Sequence, residues 1–143
     1  KGVMVAEIQQ RSDVTYRIYD FKRKDDQGNE RELHTDEALD VIQFAASPSP
    51  KVPYKARLNE LTPLVSCEYF ATNMILFDEQ LVRNYSSIDS FVAYMCLEGS
   101  FELSANDEKL LVNSGTTILI PAVIQEVQLV PLGKARMLEV MVP

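Results

Sequence analysis

The chain has 143 residues, 46% hydrophobic and 24% charged, with a formal net charge of -7. That size and balance suit one ordinary globular domain, or one domain with a piece of a neighbour, and exclude disordered and collagen-like material. The negative charge argues against a nucleic-acid partner, because phosphate backbones are bound through clustered Lys and Arg. The one basic run, Lys22-Arg23-Lys24, is followed at once by Asp25-Asp26 and reads as a solvated loop.

The longest apolar runs, such as 116–121, are too short to span a bilayer, and Lys1-Gly2-Val3-Met4 lacks the apolar core of a signal peptide. A soluble, cytoplasmic protein without a membrane partner is expected. Cys67 and Cys96 lie far apart, show no CxxC spacing and are expected to be free, buried thiols.

In chain order, residues 3–10 and then 14–20 alternate apolar and polar positions, which predicts two strands joined by a three-residue loop. Paired as a hairpin, they would set Glu7 opposite Arg17 and Gln9 opposite Thr15. Residues 21–33 are charged and contain Gln27-Gly28-Asn29, the composition of an exposed loop. A helix is then predicted over 35–46, with Thr35 as N-cap, Asp36 and Glu37 in the first turn, and Ala38, Val41, Ile42 and Ala45 at helical spacing. Ser47-Pro48-Ser49-Pro50 stops it, and the Pro-rich stretch to Pro53 is the best boundary in the chain.

Beyond that boundary, strand patterns cover 64–69, 73–85, 90–97, 100–104, 109–112, 116–120, 126–130 and 135–142. Turn signals at Glu98-Gly99-Ser100, Asn106-Asp107, Asn113-Ser114-Gly115 and Leu132-Gly133 separate them, as in an all-β sandwich or barrel. The segments FVAYMCLEGSFEL and EKLLVNSGTTILIPA follow a rhythm of strand, Gly turn, strand, Gly turn, strand and Pro that resembles a cupin jelly roll.

A more specific resemblance lies in AEIQQRSDVTYRIYDFKRKDDQGNERELHTDEALDVI, residues 6–42. Glu7, Gln9-Gln10, Ser12-Asp13, Thr15-Tyr16-Arg17, Tyr19-Asp20 and Arg31-Glu32-Leu33-His34-Thr35 stand in the order found in type I mannose-6-phosphate isomerases of the bacterial short form. Residues 64–143 are similar, in rhythm, to that family's C-terminal cupin. The resemblance implies an all-β protein with a short helical connector. Residues 1–34 would be a β-hairpin and loop left from a preceding catalytic cupin barrel, 35–53 the helix and linker, and 54–143 a C-terminal cupin jelly roll. It also implies a parent enzyme that interconverts mannose 6-phosphate and fructose 6-phosphate, with a zinc ion whose ligands would lie upstream of Lys1. No metal ligand is assigned within this chain, and the chain alone is expected to be inactive.

Aldose–ketose isomerisation needs a base and a positive group for the developing oxyanion. The resemblance points to Arg17 as that catalytic cation, a permanently charged, planar group able to bind an enediolate or a phosphate through two donors. The residues alone favour a simpler ion pair between Arg17 and Glu7. Glu7 and Gln9 are therefore candidates for contacting substrate or for orienting Arg17. His34, the single histidine, precedes an N-cap threonine with no metal-spaced partners, which favours a helix-entry or packing role. Two rivals stand beside the isomerase reading: a non-catalytic cupin that binds sugar or a partner protein, and a small self-contained enzyme using Arg17, Glu7 and His34. Unpaired N-terminal strands would dock on the C-terminal cupin, self-associate with another copy, or fray, and the sequence does not choose among these.

Overall fold

The computed structural model describes Gly2, residues 5–12, 14–45 and 51–143. The chain divides into two compact units, Lys1–Ile8 with Val52–Pro143, and Gln9–Lys51.

Among its described residues the larger unit holds nine strands: β1 Glu60–Ser66, β2 Ala71–Phe77, β3 Leu81–Asn84, β4 Val92–Glu98, β5 Ser100–Ala105, β6 Glu108–Asn113, β7 Thr117–Ile120, β8 Glu126–Pro131 and β9 Ala135–Met141. One sheet has the order β1-β2-β9-β4-β7 and the other β3-β8-β5-β6, every pair of neighbours antiparallel. Period-2 alternation supplies the core between them. Ile75, Phe77, Val92, Tyr94, Cys96, Ala135 and Met137 come from the first sheet, and Phe101, Leu103, Val112, Val127 and Leu129 from the second. Phe77 and Phe101 meet edge to face at 5.4 Å between ring centroids. Burying each large apolar side chain stabilises the fold by roughly 1.5–3 kcal/mol.

The predicted turns fall where the chain reverses. Asn106 and Asp107 both have positive φ, 46° and 68°, and make the two-residue hairpin between β5 and β6. Gly99, at φ 74°, links β4 to β5, and a Cβ there would stand 2.3 Å from the Lys134 carbonyl oxygen.

The single strand predicted over 73–85 is two strands in different sheets. Asn59 organises the break: its Oδ1 accepts the amides of Asp78 (3.0 Å) and Glu79 (3.3 Å), and its Nδ2 donates to Asp78 Oδ1 (3.0 Å). Those bonds satisfy amides that a continuous ladder would otherwise have used. Strand β1 begins at Glu60, earlier than predicted, and takes Pro63 into a sheet edge, where the missing N–H is tolerated and the register shifts.

Among its described residues the smaller unit contains one helix, α1 Thr35–Val41, with Asp36 and Glu37 in its first turn. It is shorter than predicted: Ile42 leaves at φ -67°, ψ 123°, and Ala46 to Pro50, the rest of the expected helix and its stop, lie outside the described residues. Adjacent β-branched Val41 and Ile42 have low helix propensity, and a helix this short has little cooperativity to carry them. The N-cap is His34 rather than Thr35.

The hairpin predicted over 3–10 and 14–20 is not formed among the described residues. Residues 3, 4 and 13 lie outside them, and the described remainder of both stretches carries no strand. Alternation permits a strand but does not supply its partner, and an isolated ribbon is marginal in water. Val14, Ile18 and Phe44 are exposed. Order in this unit comes from Asp20, only 6% exposed, whose carboxylate accepts from Arg23 and from both Nε and Nη2 of Arg31.

Candidate functional site

The interior of the jelly roll holds a charged cluster. Inward positions on β3 are Leu81 and Arg83, with Tyr85 just beyond the strand, and those on β9 are Ala135, Met137 and Glu139. Arg83 and Glu139 therefore meet between the sheets. Arg83 Nε donates to Glu139 Oε2 and Nη2 to Oε1, both at 3.0 Å, while Asn73 Nδ2 donates to Oε1 at 3.2 Å. The Tyr85 hydroxyl donates to Oε2, which leaves its oxygen to accept the hydroxyl of Tyr94. Glu139 has no exposed surface, and the Arg83 side chain is 26% exposed.

Every lone pair that the carboxylate would lose from water is answered by a donor, the condition for burying a charge. Burial works against the charge on Arg83, but the Glu139 carboxylate outweighs it and holds the guanidinium's pKa above its ordinary value. Burial first, then the neighbouring Tyr94 and the Glu139 charge, pushes the Tyr85 phenol well up; burial likewise raises Tyr94.

The residues singled out from sequence lie elsewhere. Glu7 is exposed and belongs to the larger unit, whereas Gln9, also exposed, and Arg17, half-buried, belong to the smaller one. Arg17 Nη1 donates to the Glu32 carbonyl oxygen at 2.9 Å, and its main chain is bonded to His34. Within its own unit, Arg17 is thus held by the 31–35 segment. His34 enters the helix, as expected, with its ring 6.4 Å from that of Tyr16.

Both cysteines are free, but only Cys96 is buried, in the core of β4. Cys67 is exposed in the β1–β2 connection, where its thiol donates to the Phe70 carbonyl oxygen at 3.4 Å. With β2 and β9 standing between β1 and β4, the two cysteines are not on neighbouring strands. Cys96 borders an apolar cleft of about 320 Å³ that Val5, Ala6, Met95, Leu97 and Thr117 also line. Its thiol is pushed up by burial, away from the reactive thiolate form.

The donor set does not fit a zinc ion. No group of three His, Cys, Asp or Glu side chains comes together among the described residues. The imidazole already spends Nδ1 as an acceptor, and the interior carboxylate is saturated by four donors. Among the described residues, no helix is long and apolar enough to cross a membrane.

Sequence reasoning missed the Arg83–Glu139 cluster. The signal was present: in LVRNY and in ARMLEVM a charge of opposite sign stands on the inward parity of its strand. Two such anomalies in one sandwich call for each other.

Two antiparallel sheets in this order, closed over one core, make a cupin jelly roll. A cupin-2 domain protein from Shewanella frigidimarina shares the fold at TM-score 0.54 and 9% identity, over 62% of this chain and 85% of that one. The mannose 6-phosphate isomerase from Bacillus subtilis superposes at TM-score 0.63 with 24% identity, over 90% of this chain and 40% of its own. A family model described as mannose-6-phosphate isomerase, cupin domain, matches residues 60–142.

The chain belongs to that family. Mannose-6-phosphate isomerase from Streptococcus mutans is 32% identical over 130 residues, 90% of this chain and 40% of the relative. The chain therefore spans about two fifths of the length of that relative.

Proposed function

We propose that these residues are the C-terminal portion of a mannose-6-phosphate isomerase, an aldose–ketose isomerase acting on a sugar phosphate in the cytoplasm. The observation that carries the reading is the Streptococcus mutans match, which runs through both compact units rather than the jelly roll alone. In this reading residues 1–34 complete a preceding catalytic cupin, 35–53 connect, and 54–143 form the second cupin. The exposed Val14, Ile18 and Phe44 support it, since apolar side chains in contact with water fit a segment meant to be covered.

The chemistry asked of Arg17 is electrostatic. Removing a proton beside a carbonyl leaves an enediolate oxyanion, and a fixed guanidinium stabilises that charge or holds the substrate's phosphate. Nη1 is anchored on Glu32, while Nε and Nη2 carry no partner among the described residues and remain as donors. Glu7 and Gln9, both exposed, are assigned to substrate contact. The zinc belonging to the reaction is assigned to ligands outside this chain.

Within such an enzyme the second cupin braces rather than reacts, because its interior is filled by Arg83, Glu139, Tyr85 and Tyr94. The same filled interior is also compatible with the second reading, a non-catalytic cupin module, its sugar or partner then being held outside that interior. Assaying the purified 143-residue chain and the full-length product of its reading frame for mannose 6-phosphate isomerisation separates the two. The full-length product is expected to be zinc-dependent and active, and the chain alone inactive and without stoichiometric zinc. Turnover by the chain at the full-length rate, or none by either, would overturn the proposal.

A further inference from the structure

His34 occupies the N-cap of α1 but makes no side-chain cap bond. A Ser, Thr, Asp or Asn normally caps a helix by accepting one of its exposed amides, and the threonine suited to that task sits one position too late, inside the helix. The imidazole is used elsewhere. Its Nδ1 accepts the Arg17 amide at 3.1 Å, while the His34 amide donates to the Arg17 carbonyl oxygen at 2.7 Å. Two residues earlier, the Glu32 carbonyl holds Arg17 Nη1 at 2.9 Å. One short segment thus grips Arg17 by its amide, its carbonyl and one corner of its guanidinium.

A local rule given up without local gain points to a requirement at a larger scale. A backbone–backbone bond alone would hold the two segments together. The bond to Nδ1 adds a second point of attachment at the same residue, which fixes the direction of the main chain from which the arginine side chain departs. For the ring to accept at Nδ1 in its neutral form, its proton must sit on Nε2.

We propose that His34 is the positioning residue of Arg17. Its neutral imidazole, as acceptor for the Arg17 amide, sets the root of a guanidinium that keeps Nε and Nη2 for a sugar-phosphate oxyanion. The inference rests on the assignment of Arg17 to the active site. It gives the single histidine a role that is neither metal ligation nor acid–base chemistry. The ring bonds to the main chain of Arg17, so its effect on the reaction is exerted through Arg17.

The bond is tested first in the 143-residue chain labelled with nitrogen-15. With one histidine present, a scalar coupling between the Arg17 amide nitrogen and His34 Nδ1, with the ring proton on Nε2, is expected. The opposite tautomer without coupling overturns the proposal.

The role is tested in the full-length enzyme. His34→Ala is expected to lower kcat on the order of 10²-fold, as a displacement of about 1 Å in a positioned group does, with little change in KM. His34→Asn, whose amide oxygen can replace Nδ1 as acceptor, should restore most of that loss. Thermal melts of both variants identify any failure to fold. If His34→Asn folds as stably as the parent yet stays as slow as His34→Ala, the positioning role is wrong. If Arg17→Ala abolishes turnover while His34→Ala stays within about twofold, the inference falls and the reading of Arg17 stands. If Arg17→Ala has no effect, both fall.

Discussion

Arg83 on β3 and Glu139 on β9 face each other from opposite sheets of the jelly roll, joined by two parallel hydrogen bonds of 3.0 Å across its interior. The pair is unequal. The carboxylate has no exposed surface, whereas the arginine side chain reaches water over about a quarter of its area. Removing the arginine strands a charge with no route to solvent, and removing the glutamate does not. Arg83→Met is therefore expected to destabilise by about 3–5 kcal/mol and Glu139→Leu by less, with the double variant well short of the sum. Urea unfolding of all four proteins measures this, and equal single losses that simply add would contradict it.

Tyr85 and Tyr94 extend the cluster into the core, and burial raises both phenols above the ordinary tyrosine value. Since the folded pKa lies above the unfolded one, these groups contribute stability below a pH of about 10, and that contribution is lost as the pH rises beyond it. In an alkaline titration followed by phenolate absorbance, two of the six tyrosines should stay silent until the jelly roll opens. Tyr85→Phe, which takes one donor from a buried carboxylate, should cost about 1–3 kcal/mol.

In the smaller unit the acid limb is governed by Asp20. The bond from Arg31 outweighs burial, which opposes it, and with Arg23 holds the carboxyl well below the usual carboxylate range. Its folded pKa is depressed, so its contribution is present above the unfolded value of about 4 and disappears as the pH falls through the folded one. Carboxyl-carbon NMR should show Asp20 still ionised when the exposed aspartates have titrated. Asp20→Asn should release the 20–31 loop at neutral pH, seen as faster amide exchange at Arg23.

Thr72, buried on β2 with its side chain on the face opposite Asn73, has a hydroxyl without a hydrogen-bond partner among the described residues. Valine keeps the branched shape that the strand favours and removes the unsatisfied group. Thr72→Val should raise the unfolding free energy by about 1 kcal/mol in urea; a loss of that size would show that the hydroxyl is satisfied in solution.

The sandwich was legible because period-2 alternation and turn chemistry are local. Asn106-Asp107 and Gly99 announce their turns through residue types that tolerate left-handed backbone. The break after Phe77 was not, because it depends on Asn59, nineteen positions before Asp78 in sequence and adjacent to it only once the strands have paired. Alternation runs over 3–10 and 14–20, but the described residues there form no strand, since a ladder depends on a neighbour that no single segment encodes. The contact of Arg17 with Glu32 and His34 crosses a loop whose course no local signal sets. Arg83 and Glu139 lie 56 positions apart, and only the inward parity of each hints at the other.

Strand β9 is the last of the nine in chain order, yet it lies between β2 and β4 in the middle of its sheet. During synthesis from the N-terminal side, the first sheet can exist only as two separate ribbons, β1–β2 and β4–β7, until residues 135–141 have emerged. The same strand delivers Glu139, so Arg83 waits in a half-built interior with no counter-ion until that moment. Completion of the sheet and neutralisation of its buried charge are thus one event, and a ribosome stalled before β9 would display an open apolar slot for chaperones to recognise.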